Sequence, residues 1–151
     1  MSFDARIAQL GIPLPDAPAP AANYVPYVQS GKLLFVSGQI AAGPEGLIRG
    51  RLGEDMDATA GAAAARACGL ALIAQARAAL GSLDRITRVV KLTGFVNSTP
   101  DFTDQPEVVN GCSDLMVAVF GEAGRHARAA VSAAALPRGV AVEIEAIFEI
   151  A

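Results

Sequence analysis

Arg125-His126-Ala127-Arg128-Ala129-Ala130-Val131, followed by Leu136-Pro137 and then by Val142-Glu143-Ile144-Glu145-Ala146, is the most informative stretch of this chain. Ala127 to Ala134 reads as a strand opened by an arginine. Leu136-Pro137-Arg138-Gly139 is a turn, since proline fixes its own backbone and glycine admits conformations closed to other residues. Val140 to Ile150 then alternates with period two. Val140, Val142, Ile144, Ala146, Phe148 and Ile150 fall on one face, and Ala141, Glu143, Glu145, Ile147 and Glu149 on the other. One face of the last strand is dry and the other carries carboxylates. Read as a final hairpin, the two strands have a register that sequence does not fix, so whether Arg128 and Glu143 share a face is left open.

Upstream of this pair the pattern switches to helical spacing. A helix is expected from Thr103 or Asp104, with Pro106 in its first turn where the missing N–H costs little. Its apolar positions are Val109, Leu115, Met116, Val119 and Phe120, and Gly121 or Gly124 ends it. Arg85 to Val96 is rich in β-branched residues and reads as a strand. Before it, an alanine-rich helix runs from an N-cap at Asp57 or Thr59 to Leu80, with Gly81 stopping it and Leu70, Ile73, Ala74, Arg77 and Leu80 as the core stripe. Tyr24 to Gln29 and Lys32 to Ile40 read as strands joined by a turn at Ser30-Gly31. The crowded Leu33-Leu34-Phe35-Val36 predicts burial on both faces of the second. Gly43-Pro44-Glu45-Gly46 is a turn, and Leu47 to Leu52 a third, shorter strand. Near the start, Asp4 to Leu10 suits a turn or two of helix, and the prolines at 13, 15, 18 and 20 predict an extended lead-in draped over the fold.

These elements give an α+β class: one mixed sheet with two helices packed on one face. Residues 1–151 are expected to form a single domain, with 1–23 as the lead-in. The other sheet face needs water or a partner.

Composition narrows the function. With 52% hydrophobic and 18% charged residues, the chain has more apolar surface than a small monomer easily hides, which points to a buried interface. The net charge of −3 and the absence of any Lys/Arg run argue against nucleic acid as a partner. The start lacks a basic and apolar leader, and no long uninterrupted apolar run is present, so a cytoplasmic, soluble protein with no membrane association is expected. Cys68 and Cys112 read as reduced thiols in helices. There is no phosphate-binding GxxxxGK[ST] loop and no GxGxxG opening a helix, so no nucleotide cofactor is expected. His126 is the only histidine, which excludes a multi-histidine metal site and leaves a Ser-His-Asp triad without its usual elbow. What remains is the chemistry of Arg, Glu, Tyr and Asn.

The C-terminal stretch, taken with Pro26-Tyr27-Val28-Gln29, Ser37-Gly38-Gln39-Ile40, Arg88-Val89-Val90-Lys91 to Phe95-Val96, and Asn110, resembles the Rid (YjgF-type) family in the same order over about residues 24–150. That resemblance implies a chorismate-mutase-like fold, homotrimers whose sheets enclose a central barrel, and pockets in clefts between subunits. It also implies cofactor-free hydrolysis of 2-imino acids to 2-keto acids and ammonia, the 2-iminobutanoate/2-iminopropanoate deaminase type of activity, with no metal.

Carried onto this sequence, the resemblance makes Arg128 the clamp for a substrate carboxylate, because a guanidinium offers a rigid, bidentate fork. Glu143 would hold and polarise the attacking water. Tyr27 would line the pocket and bond through its hydroxyl, and Asn110 would contribute to substrate binding. His126 is a substrate-binding candidate by spacing and not by the resemblance: it lies two residues before Arg128, so on a strand both point the same way. The chain departs from the family at Ala130, where many members carry Cys, at Val25, where Gly is common, and in its longer N-terminal segment. Two other readings stand beside the deaminase: an endoribonuclease or translation inhibitor, a label attached to some relatives, and a non-catalytic carboxylate-binding or chaperone-like trimer.

Overall fold

The computed structural model describes residues 2–20 and 22–151. The short helix α1 (Phe3–Gln9) is capped by Ser2, whose side chain accepts from the Ala5 amide. It is pinned by Phe3, which packs edge-on against Phe120 with ring centroids 4.9 Å apart. Gln75 donates to the carbonyl of Pro18 at 2.6 Å, which holds the proline-rich lead-in against the body of the protein.

The first two strands are β1 (Tyr27–Ser30) and β2 (Leu33–Ile40), paired antiparallel. β1 starts three residues later than the sequence suggests. A two-residue pair follows, β3 (Ala42–Gly43) with β4 (Gly46–Leu47), around the expected glycine-proline turn. The third strand expected over Leu47 to Leu52 therefore shrinks to Gly46–Leu47. Beyond it the chain forms isolated bridges, Arg49 with Val140 and Leu52 with Ser98, and the Leu52 amide donates to the Asn97 carbonyl at the end of the sheet.

Helix α2 (Ala58–Leu80) starts at Asp57, whose carboxylate accepts from the Ala60 amide, and ends at Gly81 in the left-handed conformation with φ 79°. Both ends were legible from the cap residues. Its core side is wider than the expected stripe. Arg77 is exposed, whereas Ala64, Ala65, Cys68, Leu72 and Ala76 are buried alongside Ile73, Ala74 and Leu80. An alanine-rich helix buries a broad arc because small side chains let both the sheet and a second helix come close. By length and composition alone α2 could cross a membrane, but 61% of its most apolar window is buried inside the fold.

Strand β5 (Ile86–Asn97) and helix α3 (Gln105–Phe120) come next, α3 starting after Asp104 with proline in its first turn. The two helices approach through glycines. A Cβ added at Gly111 would run into the Ala62 backbone carbonyl of α2. Gly111→Ala is therefore expected to lower stability by about 1–3 kcal/mol, as overpacking against backbone does; denaturant unfolding measures it, and an unchanged midpoint would refute the close approach.

The chain closes with β6 (Ala127–Ala133) and β7 (Val142–Ile150). Here the sequence reading needs correction, because these strands do not form a hairpin. The sheet order is β1-β2-β7-β5-β6, so β5 lies between them. β6 runs parallel to β5 at the sheet edge, as a strand–helix–strand crossover through α3 requires, while β7 runs antiparallel to both β5 and β2.

Helices α2 and α3 cover one sheet face. The alternation of β7 is as expected, with Val142, Ile144, Ala146, Phe148 and Ile150 all buried. The expected two-sided burial of β2 is not found in the single chain. Leu34 and Val36 are buried, but Phe35 is 41% exposed on the uncovered face. There it is in register with Val28 on β1 and Ile147 on β7. Two apolar faces thus coexist in β2, but only one has a covering layer in this chain.

Candidate functional site

Arg128 sits at the start of the edge strand β6, in register with the buried Leu92 of β5, so its side chain emerges on the helix-covered face. Helix α3 crosses above it and presents Asn110 and Ser113, three residues apart and hence on one side of the helix. Nη1 of Arg128 donates to Asn110 Oδ1 at 2.7 Å and to Ser113 Oγ at 3.2 Å. Among the described residues, Nε and Nη2 of Arg128 have no hydrogen-bond partner. One edge of the guanidinium is therefore held by the helix while the other edge stays open, the arrangement a planar anion can dock against.

His126 joins the same cluster. Its Nδ1 lies 2.6 Å from the Gly124 carbonyl and its Nε2 lies 2.9 Å from Ser113 Oγ. A carbonyl only accepts, so Nδ1 carries the proton and Nε2 accepts the serine hydroxyl. Burial, and then the Arg128 charge, lower the His126 pKa against the opposing hydrogen bond from its own side to Gly124. Neutral His126 thus orients Ser113, whose remaining lone pair receives Arg128. Arg128, Asn110 and His126, all singled out in sequence, are brought together. Ser113 was missed; the available signal was its place one helical turn after Asn110. Ser113→Ala is expected to weaken carboxylate binding about fivefold, the loss of one net hydrogen bond of about 1 kcal/mol. Calorimetric titration with a 2-keto acid checks this, and unaltered affinity would show that Asn110 alone holds the guanidinium.

Glu143 lies elsewhere. It pairs with Phe95 on β5 and Ile40 on β2, two strands whose residues at those positions point to the uncovered face. Arg128 and Glu143 are thus on opposite faces of one sheet, which answers the question that the sequence left open. The register of β2 against β7 slips between Val36 and Gln39, and at this irregularity the Glu143 carboxylate lies directly over Gly38, where any Cβ would collide with it. Burial first, and the neighbouring Glu145 charge second, raise the Glu143 pKa above its ordinary value. A cavity of about 300 Å³ opens beside Glu143, bordered by Gly38, Gln39, Gln75, Tyr24 and Arg138. Arg138 adopts a left-handed backbone with φ 59°, and its carbonyl accepts from Arg49 Nε at 2.9 Å.

Tyr27 is the most distant. One continuous row crosses the sheet: Tyr27 faces Val36, Val36 faces Ala146, Ala146 faces Leu92, and Leu92 faces Arg128. Four strand spacings separate its ends, roughly 19 Å at about 4.8 Å each. Tyr27 and Arg128 occupy opposite edges of the sheet and cannot touch one small molecule within a single chain. Tyr27 packs partly buried against the core. Among the described residues, no group of three or more His, Cys, Asp or Glu side chains is placed to hold a metal ion. Cys112, buried in α3, has its thiol pushed up to about 12 by burial, against the charge of Arg128.

Residues 4–147 match a family described as "YjgF/chorismate_mutase-like, putative endoribonuclease". The chain belongs to this family. The YjgF-like domain is 55% identical to Protein TCP17 of Trypanosoma cruzi over 97% of this chain and 92% of that protein. Its fold matches the crystal structure of Atu1372, a protein of unknown function from Agrobacterium tumefaciens, with a TM-score of 0.89, 46% identity, and coverage of 99% of this chain and 94% of that one. It also matches RidA from an Antarctic Psychrobacter species, with a TM-score of 0.61 and 33% identity over 90% or nearly so of both chains, 89% and 94% respectively. The chorismate-mutase-like α+β fold and the Rid family expected from sequence are both established by these matches and by the sheet with helices on one face.

Proposed function

We propose that this protein hydrolyses 2-imino acids to 2-keto acids and ammonia without a cofactor, at sites completed between copies of the chain in a homotrimer. The observation that carries this reading is the half-free guanidinium of Arg128, fixed by Asn110 and Ser113 along one edge and open along the other. A planar carboxylate docks on that open edge. Glu143, whose pKa is raised above its ordinary value by burial and then by Glu145, takes a proton from water as the oxygen attacks the C=N carbon and hands it to the imine nitrogen. The imine nitrogen gains a proton as the C=N bond becomes single. The carbinolamine hydroxyl then passes its proton through Glu143 to the amino nitrogen, and the C–N bond breaks to release ammonia as the C=O bond forms. A carboxylate and a water-activating base suffice, and no redox step arises.

Three features support sites shared between copies. Arg128 and Glu143 face opposite sides of one sheet, and Arg128 and Tyr27 lie at opposite edges. The uncovered face also carries Phe35 and Val131, 41% and 45% exposed, which a cyclic assembly would bury. The acidic net charge of −3 disfavours the endoribonuclease reading that the family description prints. An amino-acid dehydratase releasing 2-iminobutanoate, with the protein added, tests the function: faster keto-acid appearance is expected. No acceleration with any imine, joined to no binding of any 2-keto acid, would overturn it.

A further inference from the structure

We propose that the cavity beside Glu143 receives the substrate's side chain and selects 2-imino acids with a bulky apolar substituent, aromatic or branched, over those with a methyl or ethyl group. This rests on the imine-hydrolysis reading, because the geometry at C2 supplies the argument. That carbon bears a carboxylate, a nitrogen and a side chain. The carboxylate belongs at Arg128 and the reacting C=N at Glu143, so the third substituent must find room close to Glu143. The cavity of about 300 Å³ is the space that adjoins it.

Its walls fit an apolar group. Pro18 and Pro20 of the lead-in form one side, and Ile40, Leu47 and Pro137 form others. The proline wall is fixed in place rather than loosely laid. Gln75, 1% exposed on α2, donates from Nε2 to the Pro18 carbonyl at 2.6 Å and to Gln39 Oε1 at 3.4 Å. Gln39 in turn donates from Nε2 to the Ser37 carbonyl at 2.8 Å. Both Gln75 N–H groups and one of Gln39 are thus held by the protein itself, so the proline and aliphatic walls supply most of the surface a side chain would meet, with Arg138 and Glu143 at its polar end.

Size gives the direction of selectivity. A dry cavity of about 150 Å³ accommodates a benzene ring, and this one has twice that volume. A methyl group would leave most of it as water against proline and aliphatic side chains. Each methylene moved from water to such walls strengthens binding about fourfold, so an isobutyl or benzyl substituent outcompetes a methyl by tenfold or more. Length of the lead-in, which distinguishes this chain from the compact Rid pattern, is what closes the pocket on one side.

The test uses imines generated in place by an amino-acid oxidase with catalase, from alanine, leucine and phenylalanine, and reads keto-acid formation. The kcat/KM for the leucine- and phenylalanine-derived imines should exceed that for the alanine-derived imine at least tenfold. Leu47→Trp, which fills the cavity, should bring that ratio down tenfold or more; Ala42→Phe, at another part of the same wall, does the same if the first variant folds poorly. Equal or better use of the alanine-derived imine, or a ratio unmoved in a folded filled variant, would overturn the proposal while leaving imine hydrolysis standing. Turnover of none of the three imines, together with no binding of pyruvate or phenylpyruvate, would instead overturn the functional reading on which it rests.

Discussion

Arg128→Ala is expected to abolish measurable 2-keto acid binding and to lower kcat/KM for imine hydrolysis by two to three orders of magnitude. The open edge of the guanidinium offers two parallel donors, and each charge-assisted hydrogen bond contributes about 1.5–3 kcal/mol. Arg128→Lys should recover only a small part of the loss, since an ammonium restores charge without the fork. The fold should tolerate either change. Arg128 sits on an edge strand and is only partly buried, and its removal frees Asn110, which is exposed on α3. Steady-state kinetics and calorimetry with 2-oxobutanoate measure the effect. An Arg128→Ala variant with wild-type affinity would place the carboxylate elsewhere, Arg138 beside the Glu143 cavity being the other cation at hand.

Glu143→Gln should act on rate rather than on binding. It keeps the shape over Gly38 and removes the proton acceptor, so kcat should fall on the order of 10²–10⁴-fold with little change in keto-acid affinity. The raised pKa sets the pH dependence. The base works only when ionised, so activity should fall on acidification from a higher pH than an ordinary glutamate would give. Stability moves in the other sense. A carboxyl whose folded pKa lies above its unfolded value binds protons more readily in the folded state, so its contribution weakens as pH rises through that window. The glutamine variant should therefore be at least as stable as the parent near neutrality. Equal kcat across the pH range in the variant would remove Glu143 from the proton transfers.

The helices and the last strand were legible in the sequence because their signals are local. Asp57, Gly81 and Pro106 mark helix ends by backbone chemistry, and the strict alternation from Val142 to Ile150 declares one buried face. The placement of β6 was not legible. Neighbouring strands usually pair, and Ala127-Arg128-Ala129-Ala130 carries no alternation that would reveal its true neighbour. Only the structure shows that β5 intervenes and that α3 serves as the crossover. The same topology explains the site. Asn110 is tied to Arg128 by the family pattern and His126 by its two-residue spacing, but Ser113 is an ordinary helix residue until α3 is seen above β6. The crowding of Leu33 to Val36 suggests two-sided burial because apolar content signals burial without saying which chain supplies the cover.

The row that runs from Tyr27 through Val36, Ala146 and Leu92 to Arg128 bears on how such an enzyme would behave when dilute. On the proposed shared site, a chain with Arg128 on one rim and Tyr27 on the other would be two unfinished halves, and neither half would turn over on its own. Catalytic output would then follow the fraction of chains associated, falling steeply once the protein is scarce even though every molecule stays folded. Activity per chain would then be a readout of self-association, and dilution an off-switch that needs no ligand.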